Sequence, residues 1–194
     1  MRLPDPHHAT PGGPAVSADE ARPAGGGAPS VALFVDTQNL YYAARDGYDA
    51  NVDYGRLLEL AVRGRELASA AAYVVEREGD SAAFGFVTKL SALGYRVRRR
   101  SVRVHRTDEG GGVVMEGDWD MGIAADMVRA LPYVDVLVLG SGDGDFVPML
   151  ELAQQRGARV EVLAFREAAA QSLIDLADRF THLADEDEIF VRRS

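Results

Sequence analysis

Val134-Asp135-Val136-Leu137-Val138-Leu139-Gly140-Ser141-Gly142-Asp143-Gly144-Asp145-Phe146 is the stretch on which the fold turns. Val134 to Leu139 is apolar apart from Asp135, with valine at every second position, as expected of a strand buried on both faces. Glycines then punctuate the chain at 140, 142 and 144, and Phe146 to Gln155 returns with helical character until Gly157 stops it. A strand that gives way at once to a helix belongs to a strand–helix–strand unit, and such units build parallel sheets sandwiched between helices.

Working outward, the alternation holds in both directions. Downstream, Arg159 to Phe165 reads as a further strand, and Glu167 to about Phe180 reads as a last helix with Leu173, Leu176, Ala177 and Phe180 on one face. Upstream, Val31 to Asp36 is a short apolar strand, Asn39 to about Ala44 a short helix, and Asp53 a cap for a helix carrying Leu57, Leu60 and Ala61. Ala70 to Val75 is a second strand, and Ser81 opens a helix to about Leu93 that Gly94 terminates. Tyr95 to His105 alternates like a strand, Gly110-Gly111-Gly112 breaks it, and Val113 to Met115 returns as a hairpin. A helix runs from Asp118 or Trp119 to Leu131 and ends at Pro132. Met1 to about Pro29 is rich in Pro, Gly and Ala without an apolar period, and is expected to be a disordered tail carrying His7 and His8. One α/β domain over 30–185 and a short C-terminal tail over 186–194 complete the expected organisation.

Aspartates stand where the strands should end: Asp36, Asp120, Asp126, Asp143 and Asp145. In an open α/β sheet, ligands gather outside the carboxyl ends of the strands, near the switch in strand order. Close carboxylates repel one another by about 4 kcal/mol per pair at an effective dielectric near 20, and sharing a cation relieves this. Oxygen ligands without histidine or thiolate select Mg²⁺ or Mn²⁺, ions that assist displacement at phosphorus. Asp36 and Asp143 are the expected direct metal ligands, with Asp120 and Asp145 completing the acidic site. Asp126, six residues past Asp120 and so about 120° around the helix, is a supporting residue at most. Asn39 and Ser141 are further supporting positions. Each aspartate also has a structural reading, as a helix cap or as a charge favoured by the helix dipole.

The 194 residues carry a net charge of −9, which argues against a nucleic-acid binder relying on its overall field. A local strip runs the other way: Arg96, Arg98, Arg99, Arg100, Arg103 and Arg106 lie in a stretch without an acid. Arginine there protects a strand edge or makes bidentate contact with phosphate. Tyr41, Tyr42, Tyr95 and Trp119 are candidates for base stacking or core packing. Cysteine is absent, which removes disulfides and thiolate metal sites. No run is long and apolar enough for a membrane span, and no secretory signal is evident, so a cytoplasmic protein is expected. A dinucleotide loop fails because Asp145 stands at the last required glycine. His105 and His182 sit at no strand-end elbow for serine–histidine catalysis.

Three segments in order resemble the NYN domains of the PIN-like nuclease superfamily, and the LabA-like subgroup in particular. Val35-Asp36-Thr37-Gln38-Asn39-Leu40 is similar to the family's VDxxN opening. Gly117-Asp118-Trp119-Asp120, continuing to Asp126, is similar to its acidic helix start, and Ser141-Gly142-Asp143-Gly144-Asp145-Phe146-Val147-Pro148 to its SGDxDFxP segment. The resemblance implies a Rossmann-like PIN fold with a mostly parallel central sheet flanked by helices. It also implies an acidic Mg²⁺ or Mn²⁺ site at Asp36, Asp120, Asp143 and Asp145, with Asn39 and Asp126 as motif positions, and cleavage of RNA by activated water. Met115-Glu116 stands where the family often has a lysine. Phosphate binding is then left to Arg96, Arg98, Arg99, Arg100 and Arg103, with Trp119 beside them, or turnover is lost. The partner so implied is single-stranded or structured RNA; edge strands near the arginines could also pair in a homodimer. The rival reading is an RNA-binding or regulatory module that keeps the pocket without catalysis. A Toprim-like enzyme would want a glutamate at Asp36, and a receiver domain a lysine where Arg166 stands.

Overall fold

A computed structural model describes residues 27–77, 81–102, 104–106, 113–115 and 119–191. Most of the expected tail, together with Arg103 and Asp118, lies outside these residues, as do the side chains of His105 and Arg106. Six parallel strands form the central sheet: β1 (Ser30–Asp36), β3 (Glu66–Arg77), β4 (Arg96–Val102), β7 (Val136–Gly140), β8 (Arg159–Ala164) and β9 (Arg179–His182). Short pairs add β2 (Asn51–Val52) against β10 (Phe190–Val191), and β5 (Val104–Arg106) against β6 (Val113–Met115). Helices α1 (Thr37–Tyr48), α2 (Tyr54–Val62), α3 (Ser81–Ala92), α4 (Asp120–Ala130), α5 (Val147–Gln155) and α6 (Gln171–Leu176) connect them.

Side-chain alternation sorts the core into two layers. Val31, Leu33 and Val35 of β1, with Val136 and Val138 of β7, meet Leu40 of α1, Leu57 and Leu60 of α2 and Leu90 of α3. The intervening Ala32, Phe34, Leu137 and Leu139 meet Ile123 and Met127 of α4, Leu150 of α5 and Leu173 of α6 on the other face. A strand buried on both sides must be apolar at every position, which is why β1 and β7 were the runs legible in the sequence. No described helix is long and apolar enough to cross a membrane.

The sheet order is β4-β3-β1-β7-β8-β9. The chain therefore starts in the middle, builds outward to β4, returns through α4 to the other side of β1, and builds outward again. Helix α1 leaves β1 on one face, while α5 follows β7 on the opposite face. The two chains diverge there and open a crevice at the carboxyl ends of β1 and β7.

Three expectations need correcting. The final helix ends at Leu176 rather than near Phe180, which instead lies in the edge strand β9. Ala177 is already extended, and Asp178 turns its carboxylate to accept from the Val160 amide at 2.8 Å, locking the chain beside β8. Helix α1 runs four residues beyond Ala44, to Tyr48, where left-handed Asp49 caps it. The segment expected as a C-terminal tail is drawn into the fold as far as Val191: Ile189 is fully buried, and β10 pairs with β2.

Candidate metal-binding cleft

Asp36 is the last residue of β1 and also the N-cap of α1. Its Oδ1 accepts from the amides of Gln38 and Asn39, both at 3.1 Å. The Thr37 hydroxyl donates to the Tyr73 carbonyl at 2.6 Å and fastens this corner to β3. Asn39 then reaches across the crevice: its Oδ1 accepts from the Gly142 amide at 2.9 Å, tying α1 to the loop after β7.

That loop is cramped on the side away from Asn39. A Cβ at Gly142 would meet the Ala168 carbonyl oxygen at 2.7 Å, and one at Gly144 would meet Ala170 at 2.9 Å. The Gly142 carbonyl accepts from the Ala170 amide at 2.9 Å. The buried Ser141 hydroxyl accepts from the Asp143 amide at 3.2 Å, and Asp143 Oδ1 accepts from the Asp145 amide at 2.9 Å. Glycines are needed here for close backbone approach, and hydrogen bonds fix the turn.

Asp120 opens α4 from the other side. The carboxylates of Asp120, Asp143 and Asp145 offer oxygens that all lie within 4.8 Å of one another, and the trio could hold a metal ion. With Asp36, Asp120 and Asp143 also line a cleft of about 660 Å³ that extends along α1 past Tyr42 and Tyr48 to Glu167. The sequence paired Asp36 with Asp143 as direct ligands; Asp36 shares the cleft but stands outside the tight trio, one of its oxygens turned to the α1 amides. The donor set is carboxylate oxygen throughout, which fits a hard divalent cation.

Asp126 is committed elsewhere. It accepts from the Tyr73 hydroxyl at 2.9 Å and pairs with Arg129 at 2.8 Å and Arg98 at 3.4 Å. Burial first, and then Asp126, hold the Tyr73 hydroxyl well above its ordinary pKa. Arg99 forks onto Glu76, with contacts of 2.9 to 3.2 Å. Arg100 lies over the Trp119 ring at 4.8 Å. The indole Nε1 donates to the Val74 carbonyl at 3.1 Å, its ring meets Tyr73 edge-on, and Gly122 leaves it room. Trp119 is thus a packed anchor for α4 in this conformation. Tyr95 is buried and donates to the Tyr54 carbonyl at 2.8 Å, so base stacking is closed to it. Tyr41 and Tyr42 remain exposed.

Sequence reading passed over Tyr48 and Glu167. The Tyr48 hydroxyl donates to Glu167 Oε2 at 2.9 Å. His182 accepts the Arg166 amide at Nδ1, which leaves Nε2 facing Glu167 Oε1 at 3.7 Å. An acid expected at the start of an exposed helix carries no sequence signal of such a role.

Comparison with known proteins bears on the family and the fold. The model of the NYN domain family matches residues 30–184. The low amplitude and bright protein LabA of Synechococcus elongatus is 29% identical over 158 residues, covering 80% of this chain and 84% of LabA. A crystal structure of a Vibrio parahaemolyticus protein of unknown function superposes with a TM-score of 0.75 at 33% identity, covering 86% of this chain and 99% of that one. The expected α/β, PIN-like architecture is borne out.

Proposed function

This chain belongs to the NYN domain family, and from that premise we propose that it is a metal-dependent ribonuclease hydrolysing RNA phosphodiester bonds. The observation that carries the reading is the trio Asp120, Asp143 and Asp145, gathered from two sequence-distant elements at the switch point of the sheet. Mg²⁺ or Mn²⁺ is the expected ion, since neither histidine nor thiolate joins the trio. When bound, the ion neutralises charge building on the phosphoryl oxygens and lowers the pKa of water. The chain itself supplies position. Asn39 and Ser141 hold the loop that presents Asp143 and Asp145, and the α4 anchor holds Asp120. Asp36, in the same cleft and next to the loop that carries Asp143 and Asp145, would accept a proton from the attacking water.

The test is metal titration with a labelled single-stranded RNA. The expected result is product that depends on Mn²⁺ or Mg²⁺. Asp143→Asn keeps the Oδ1 acceptor for the Asp145 amide, so the fold should persist while cleavage falls at least about 100-fold. Wild-type rates in a purified Asp143→Asn chain would refute the assignment. The rival reading is an RNA-binding or regulatory module that keeps the acidic pocket without turnover. RNA binding without product under every metal condition would establish the non-catalytic module instead.

A further inference from the structure

Resting on the reading of this chain as a protein that acts on RNA, we infer that the cleft beyond the acidic trio is a nucleobase pocket selective for guanine, with Glu167 as the residue that reads it. The first reason is charge. Among the described residues lining the cleft, Asp36, Asp46, Asp120, Asp143 and Glu167 are acidic and none is lysine or arginine. Asp46 is paired with Arg45 at 2.7 Å, but Asp36 and Glu167 still disfavour the RNA backbone away from the trio, where a cation can sit. What it accepts must be uncharged and rich in hydrogen-bond donors.

The second reason is shape and surface. Away from the trio the lining is Tyr42, Ala43, Gly47, Tyr48, Phe165 and Ala168, with the Gln38 amide among them. Phe165 is buried and one face of Tyr42 carries the Arg45 guanidinium at 4.6 Å. The Tyr42 and Tyr48 rings with the small residues between them suit a flat ring, and single-stranded RNA offers unstacked bases to such surfaces. A volume of about 660 Å³ lies within the range of nucleotide-sized sites.

The third reason is the state of Glu167. Its own backbone amide, and then the Tyr48 hydroxyl, hold its carboxyl below the usual range, so it is an ionised acceptor at neutral pH. Tyr48 is itself fixed by Phe165 and Phe190, with ring centroids 5.2 and 5.1 Å away. The carboxylate is thus oriented yet two-thirds exposed. A carboxylate accepts at two oxygens side by side. Guanine alone among the four bases carries two adjacent donors on its Watson–Crick edge, the ring N1–H and the exocyclic amino group. Adenine and cytosine offer one exocyclic donor group each, and uracil offers a single ring N–H.

The experiment uses the full chain and dinucleosides joined by an uncharged methylphosphonate, so that neither metal nor cleavage enters. Binding of the GU, AU, CU and UU dinucleosides is followed by NMR shift perturbation of the labelled chain. The expected result is about tenfold tighter binding of GU than of UU, the discrimination typical of one bidentate base contact. Glu167→Gln should bring GU to the level of UU and leave UU unchanged. Tyr48→Phe, which frees the carboxylate but keeps its charge, should lose part of the preference. Equal binding of all four, no binding of any, or a GU preference intact in Glu167→Gln would overturn the pocket. The ribonuclease reading fails separately: a chain that selects guanine but cuts no RNA keeps the pocket and loses the hydrolysis. One that cuts RNA in Mn²⁺ without base preference does the reverse.

Discussion

Asn39→Ala isolates the tie on which the site's geometry depends. The Gly142 amide donates to Asn39 Oδ1 at 2.9 Å, and Gly142 is buried, its Cα pressed toward the 168–169 backbone. Removing the amide side chain leaves that donor without a partner where the backbone gives little room to turn toward water. A buried, unsatisfied donor costs about 1–3 kcal/mol. With a urea m-value of about 2 kcal/mol/M, the unfolding midpoint should fall by about 0.5–1.5 M. The single tryptophan, Trp119, sits against Tyr73 in the opposite layer, so its fluorescence reports global unfolding rather than the mutated corner. Far-UV circular dichroism supplies the second probe that two-state behaviour requires. Asn39→Asp is the control: it keeps an oxygen acceptor and should recover most of the loss, but it adds a carboxylate beside the cleft. Its midpoint should therefore rise more on adding Mn²⁺ than that of the wild type. A midpoint for Asn39→Ala within error of the wild type would refute the reasoning, because the loop would then be held by its other contacts.

Two further perturbations test the frame. Glu161 is buried and gripped by Arg65 at 2.8 and 2.9 Å and by Arg159 at 3.0 Å. Burial opposes its ionised form, yet those arginines prevail and hold its carboxyl below its ordinary value of 4.5. A depressed folded-state pKa contributes stability above the unfolded value and loses it as pH falls through the folded one. Glu161→Gln should therefore cost about 3 kcal/mol near pH 7, with the gap to wild type closing below about pH 4 in urea titrations. A gap that widens on acidification would contradict this. Ile189→Ala should cost about 2–5 kcal/mol in the same assay, since Ile189 is fully buried; a negligible loss would return 186–191 to the status of a dispensable tail.

The legible parts of the chain were those where burial writes directly into sequence. Central strands β1 and β7 are apolar at nearly every position because helices cover both faces, and the aspartates at their ends follow from the punctuation. Strand β9 was not legible: Arg179-Phe180-Thr181-His182 is a short edge strand, half exposed, and Phe180 happens to fall in register with the preceding helical pattern. Asp126 was separated from the trio by helix geometry alone, and its contacts with Tyr73, Arg98 and Arg129 lie apart from the trio. The role of Trp119 was not recoverable, because its partners, the Val74 carbonyl and the Gly122 gap, depend on how α4 crosses β3. The same holds for Tyr48 and Glu167, which meet across 119 positions of chain.

The arginine strip shows how one stretch of charge serves the site without touching it. Strand β4 is the sheet's outer edge, and its residues alternate between faces. Arg98 and Arg100 turn toward α4, one pairing with Asp126 and the other covering Trp119, while Arg99 turns the other way onto Glu76. Two of the three thus clamp the first two turns of α4, the turns that begin at Asp120. A phosphate drawn to Arg98 would have to compete with Asp126, so its net gain is the difference between two ion pairs rather than a new one. Arg96 differs: it is exposed. Under the proposed function, backbone contact along this edge would fall first to Arg96, and the clamp residues would act on RNA by fixing where Asp120 stands. On a chain whose net charge is −9, that division predicts weak general attraction to nucleic acid, with selectivity resting on the cleft rather than on the surface field.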